Sequence, residues 1–201
     1  MEKASIQKNK YEESIMKKVV LLGDSIRLIG YGQKVAEMLK DRFAVWQPED
    51  NCRFAKYTLR MLFDFRQEIE NADVIHWNNG LWDACDIFGD GPFTPVEEYV
   101  QNMLRIADLL LCYGKKVIFA TTTPTHPDYP YHTIERIQSY NEALVPLLRA
   151  RGIVVNDLFS VMKDHRVDGI CEDQIHLNQL GIELCATQTV RSILETLGES
   201  L

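Results

Sequence analysis

The sequence is short of basic charge, of long apolar runs and of paired cysteines, and each shortage excludes something. Its 22 Lys and Arg face 29 Asp and Glu, for a formal net charge of -7. Without a basic face, a nucleic-acid partner is not expected, nor binding to an anionic membrane surface. No apolar run approaches the roughly 18 residues of a membrane-spanning helix. The cysteines, Cys52, Cys85, Cys112, Cys171 and Cys185, number five. That odd count, with no Cys-x-x-Cys spacing, argues against a disulfide framework or a zinc ribbon. Free thiols in a reducing cytosol are the expectation. His76, His126, His132 and His165 share no close spacing and fall in different segments, so no metal site is expected. No P-loop is present, and Gly30-Tyr31-Gly32 fails as a dinucleotide fingerprint because Val35 stands where the third glycine belongs. No cofactor is expected.

What remains is ample for a core. Of the 201 residues 46% are hydrophobic, which fits one α/β domain from about residue 16 to 201. Residues 1–15, MEKASIQKNKYEESI, are polar and lack an apolar core. They read as a flexible tail rather than a signal peptide.

Buried parallel strands are written as continuous apolar runs. Five such runs appear: Lys17 to Gly23, Phe43 to Trp46, Asp73 to Asn78, Lys116 to Ala120, and Ile153 to Val155. Helical spacing separates them, carried by Tyr31, Val35, Met38 and Leu39, then Leu59, Leu62, Phe63 and Ile69. Further helices follow at Tyr99 to Leu111 and at Ile134 to Leu148, where Pro146 must kink the helix or lie near an end. A last helix begins near Asn178, a plausible N-cap, and reaches Leu197. Residues 80–95 read as a long surface loop, and Thr121 to Pro130 as another. This alternation predicts a five-stranded, mostly parallel sheet covered on both faces. In such sheets ligands gather outside the carboxyl ends of the strands.

Three strand ends carry chemistry. Gly23-Asp24-Ser25 follows the first strand, where a sharp turn can expose a hydroxyl beside free helix-start N–H groups. Alone it reads equally as a helix cap, with Asp24 or Ser25 accepting from the next turn. Asp173-Gln174-Ile175-His176 precedes the last helix. A serine hydroxyl needs an imidazole to take its proton, and the imidazole needs a carboxylate to hold it. His76-Trp77-Asn78-Asn79-Gly80-Leu81-Trp82-Asp83 closes the third strand, where an asparagine could donate to an oxyanion. Its plain alternative is a turn. Arg27 follows Ser25-Ile26, so the Gly-x-Ser-x-Gly elbow is absent.

In order and spacing these blocks resemble the SGNH, or GDSL-type, hydrolase superfamily, over roughly residues 17 to 198. There a Gly-Asp-Ser block follows the first strand, Gly-x-Asn-Asp the third, and Asp-x-x-His precedes the last helix. The resemblance implies a three-layer α/β/α sandwich of flavodoxin-like character, with Ser25 as nucleophile, His176 as base and Asp173 as its orienter. Two departures stand out. Trp82 occupies the place of the family's oxyanion asparagine, which leaves Asn78 or Asn79 to complete the hole with the Ser25 N–H. The glycine of the family's second block is also missing from Pro48 to Lys56, where Asn51 either contributes or only braces the loop.

Pro-Glu-x-Asn-Cys-Arg-Phe, His-Trp-Asn-Asn-Gly-Leu-Trp-Asp and Ala-Thr-Thr-Thr-Pro are similar to bacterial members described as acetylesterase-like or acylhydrolases. This implies short acyl esters, acetyl groups on carbohydrates among them. Trp46, Trp77, Trp82, Tyr129 and Tyr131 either stack against such a ligand or belong to the core. A binding module with weakened catalysis, or a lipase or thioesterase, are the competing readings. The oligomeric state is left open, a homo-oligomer included.

Overall fold

The computed structural model describes residues 16–200, so the expected tail at residues 1–15 lies outside it. Five strands form one sheet: β1 (Lys18–Leu22), β2 (Ala44–Trp46), β3 (Val74–Trp77), β4 (Val117–Ala120) and β5 (Val154–Asn156). Their order is β2-β1-β3-β4-β5, and every pairing is parallel. Parallel neighbours need crossovers, and helices supply them. They are α1 (Gly32–Leu39), entered through a wide π-type turn at Ile26–Tyr31, then α2 (Ala55–Asp64), α3 (Arg66–Ile69), α4 (Leu81–Ala84), α5 (Val96–Tyr113), α6 (Ile134–Arg149), α7 (Leu158–Lys163) and α8 (Gln179–Leu197).

The apolar runs are needed because both faces of the sheet are covered. Successive β-strand side chains point to opposite faces. Val19 and Leu21 accordingly pack with Val35, Leu39, Met162, Cys185 and Ile193 from α1, α7 and α8. Val20 and Leu22 pack with Met61, Met103, Leu110 and Leu144 from α2, α5 and α6. The result is the expected three-layer sandwich.

The helix expected across Leu59 to Ile69 is interrupted at Phe65, giving α2 and α3. Pro146 sits inside α6 but within its last turn. Only three helical residues follow it, so a bend there redirects little of the helix. Asn178 caps α8, its side chain accepting from the N–H groups of Leu180 and Gly181. Residues 80–95 depart from the expected surface loop: they include α4, and Leu81, Asp83 and Ala84 are buried.

The strand order reverses between β1 and β3, and the turns after both therefore open onto the same crevice. Trp77 ends β3 with no exposed surface, against Phe119 at 4.9 Å between ring centroids. It is a core residue rather than a ligand platform. Trp77→Ala should lower the unfolding free energy by about 3–5 kcal/mol, as expected for a large buried aromatic, measured by urea denaturation followed by circular dichroism.

Candidate active site

The turn after β1 divides its labour between two residues. Asp24 does the capping: its Oδ1 accepts from the Ile26 N–H at 3.0 Å and its backbone carbonyl from Arg27 and Leu28. Ser25 begins the π-type turn without a side-chain cap bond. The two uses that compete in the sequence are thus separated, and the Ser25 hydroxyl is left over. Asp24 is buried, which pushes its pKa up, against hydrogen bonds from Asn78 and Ile26.

The Asp173–His176 segment is a tight loop. Ile170 and Leu177 pair across its neck, and the Cys171 N–H donates to the His176 carbonyl at 2.7 Å. Gln174 takes a left-handed conformation, with φ 69°. Asp173 Oδ1 accepts from the N–H groups of Ile175 and His176 at 3.0 and 2.9 Å, while Oδ2 lies 2.6 Å from His176 Nδ1. Burial works against ionising Asp173, but these donors prevail and its pKa is lowered. A carboxylate at Nδ1 fixes the proton there, which leaves Nε2 with the lone pair a base requires.

Ser25 and His176 line one cleft of about 480 Å³. Its walls are mostly apolar, from Leu28 and Ile29 on one side and Phe54, Trp82 and Phe93 on another, with Tyr129 and His132 further along. The two side chains are not hydrogen-bonded to each other in this structure, and such bonds commonly tighten only when substrate binds. Trp82 is 38% exposed and meets Phe54 edge-on at 5.3 Å. Tyr129 stacks on His132 at 5.3 Å. Trp46 and Tyr131 are not part of the cleft wall.

Asn78 and Asn79 do not take the places expected of them. Both are buried and neither lines the cleft. The Asn78 amide donates to Asp24 Oδ1 at 2.8 Å and accepts from the Tyr31 hydroxyl at 2.9 Å. Asn79 accepts from Thr58 and from the Trp77 indole, and donates to the Arg53 carbonyl at 2.9 Å. Both brace the loops behind the cleft. Asn51, by contrast, does line it. In the same loop, which lacks the family's glycine, Arg53 adopts φ 47°.

The sequence gives no hint of the part played by Arg27. Its guanidinium is buried and donates to the carbonyls of Gly23, Pro48 and Asp50 at 3.1, 2.8 and 2.8 Å. It ties the turn that carries Ser25 to the loop after β2. Cys171 stands outside the cleft wall, its thiol directed at the Leu177 carbonyl and its pKa raised by burial. His76 is buried on β3 and held neutral, its pKa depressed by burial to about 3. Among the described residues no group of three or more His, Cys, Asp or Glu converges as a metal site would require. Nor, among the described residues, is any helix long and apolar enough to cross a membrane.

No family model matches the chain. A curated GDSL esterase/lipase, WDL1 of Oryza sativa subsp. japonica, is 30% identical over 181 residues, covering 82% of this chain and 68% of the rice protein. The chain belongs to the GDSL esterase/lipase family. As a member of this branch of the SGNH superfamily it is a carboxylic ester hydrolase. Solved structures share its fold. A lipase/acylhydrolase from Enterococcus faecalis superposes with a TM-score of 0.71 at 22% identity, over 89% of this chain and 95% of that one. The acetyl xylan esterase AlAXEase does so with 0.71 at 20% identity, over 88% and 99%.

In this GDSL hydrolase the segment after β3 is anchored by another buried acid. Gly80 turns the chain with φ 141°, a conformation a side chain would rarely adopt, and Thr122 Oγ1 leaves no room for one. Asp83 then accepts from the Ala55 N–H, the first of α2, at 3.0 Å. Burial pushes the Asp83 pKa from 3.8 up to about 6. Between those values the folded state holds the proton that the unfolded state has released, so stability falls as pH rises through this window. Above it Asp83 costs on the order of 3 kcal/mol. Asn in its place still accepts from Ala55. Urea titrations at pH 4 and pH 7 should therefore show Asp83→Asn gaining on the wild type by about that amount at the higher pH. Parallel losses in both proteins would contradict it.

Proposed function

We propose that this hydrolase cleaves acyl esters through an acyl-enzyme on Ser25, with His176 as base and Asp173 as its orienter. The observation that carries the reading is the 2.6 Å contact between Asp173 and His176 Nδ1, in an imidazole that shares its cleft with an uncommitted serine. Ser25 Oγ attacks the ester carbonyl while its proton passes to His176 Nε2. The tetrahedral adduct collapses, the bond to the alcohol oxygen breaks, and His176 protonates the departing alcohol. Water, deprotonated by the same imidazole, then releases the acid and restores Ser25.

Ser25→Ala should fold as the wild type does, because the lost hydroxyl caps nothing. Its turnover of p-nitrophenyl butyrate should fall by more than about 10⁴-fold, as for loss of the nucleophile in other serine hydrolases. Wild-type turnover in that variant would remove Ser25 from the mechanism.

The cleft favours an apolar acyl group. Leu28, Ile29, Phe54, Ile87 and Phe93 surround the space beside Ser25. An acetyl group would occupy little of its 480 Å³. Each further methylene brought out of water is worth about 0.8 kcal/mol, roughly fourfold in kcat/KM where the transition state holds it equally well. With p-nitrophenyl esters, kcat/KM should rise from acetate to hexanoate. A second reading, acetyl esters of carbohydrates, is favoured by Trp82 and Tyr129, whose faces suit a sugar ring. A series that peaks at acetate would turn the assignment to that reading.

A further inference from the structure

An ester carbonyl that becomes an oxyanion needs preset donors, and the structure restricts where they can come from. The Ser25 N–H is the first. No described residue accepts from it, whereas the Ile26, Arg27 and Leu28 N–H groups are all taken by Asp24. The asparagines after β3 are withdrawn into buried bonds. His132 gives its Nε2 proton to the Leu81 carbonyl at 2.7 Å, and burial lowers its pKa, so a neutral ring keeps no second proton to donate.

Asn51 is different on three counts. It lines the cleft with Ser25 and His176. Its segment is stitched to the nucleophile's own turn: Cys52 N–H donates to the Gly23 carbonyl at 3.0 Å, and Gly23 N–H reaches Cys52 Sγ at 3.1 Å. Arg27 adds a clamp, holding the Gly23 and Asp50 carbonyls with one nitrogen. Finally, the orientation of its amide is set. Asn51 Oδ1 accepts from the Arg53 N–H at 2.8 Å, which leaves Nδ2 as the outward donor with no partner among the described residues. The Arg53 held by this side-chain turn is left-handed, with φ 47°.

We propose that Asn51 is a catalytic residue whose Nδ2 donates to the oxyanion beside the Ser25 N–H. The side-chain donor then comes from the loop after β2 instead of the loop after β3. The proposal rests on Ser25 being the nucleophile, and adds no bond-making step to that mechanism.

The alternative is that Asn51 only braces its loop, and neutral and charged substitutions separate the two roles. Asn51→Ser and Asn51→Asp each keep an oxygen that can accept from the Arg53 N–H, yet the carboxylate has no donor and the serine hydroxyl sits one bond short of the Nδ2 position. Asn51→Ala loses both. We expect all three to lower kcat on p-nitrophenyl butyrate by about 10²–10³-fold, with KM within a few-fold of wild type. The thermal midpoints of the Ser and Asp variants should stay near the wild-type value. If those two keep wild-type kcat and only Asn51→Ala is slow, Asn51 is a brace and the proposal falls. Failure of the underlying reading shows separately, as undiminished turnover by Ser25→Ala.

Discussion

A carboxylate without access to water stands immediately before the serine, and much of the site follows from satisfying it. Asp24 is 1% exposed. Stripping a carboxyl group of its water is costly, which raises its pKa, and only Oδ1 recovers donors nearby, Oδ2 having none among the described residues. One oxygen takes two, the Ile26 N–H and the Asn78 amide. The first choice caps the turn after β1 and leaves the Ser25 hydroxyl unemployed. The second draws Asn78 inward, where the Tyr31 hydroxyl closes the chain of bonds. One buried carboxyl group therefore frees the serine and removes the asparagine beside it from the cleft. Gly23 completes the arrangement, because a Cβ there would fall 1.9 Å from Asn78 Oδ1.

Arg27 is the countercharge, though it does not sit in a direct ion pair. Its guanidinium spends its donors on carbonyls from two segments. A planar fork of five N–H groups spreads its donors over several carbonyls in fixed directions, whereas a lysine would gather all three of its donors on one nitrogen. The loops after β1 and β2 are thereby fixed relative to one another by a side chain rooted in the first. On the far side, Asn79 does the same with neutral groups, joining Trp77, Thr58 and the Arg53 carbonyl. The loop that carries Asn51 is held from both flanks.

The strands were legible because burial on both faces forces continuous apolar runs, and Lys17 to Gly23 can hardly be read otherwise. Asp173 and His176 were legible because their spacing lets one tight loop hold both. Asn78 and Asn79 were not. Sequence reports that an asparagine has a donor and an acceptor, but not which neighbours consume them, and here Asp24 and Arg53 do so from more than 25 residues away. Trp77 illustrates the same limit, since an indole at a strand end fits a core or a binding wall equally well. Arg53 shows it in reverse. The loop lacks the glycine of the family's second block, and a left-handed residue is nonetheless present there, Arg53, whose N–H is held by the Asn51 side chain.

The site is also polarised between wet and dry ends. The Asp173 side chain is 50% exposed, whereas the serine end of the cleft is walled by hydrocarbon. Charge interactions at the wet end are screened, so the Coulombic help Asp173 offers an imidazolium is modest. Its three accepted bonds matter more for geometry: they freeze the loop, the tautomer and the ring together. At the dry end the opposite holds. A developing oxyanion beside apolar walls feels each donor strongly, because little water competes for it. In the proposed mechanism, an acid placed where water screens it and an oxyanion placed where water is sparse put the electrostatic weight on the bond-making atoms.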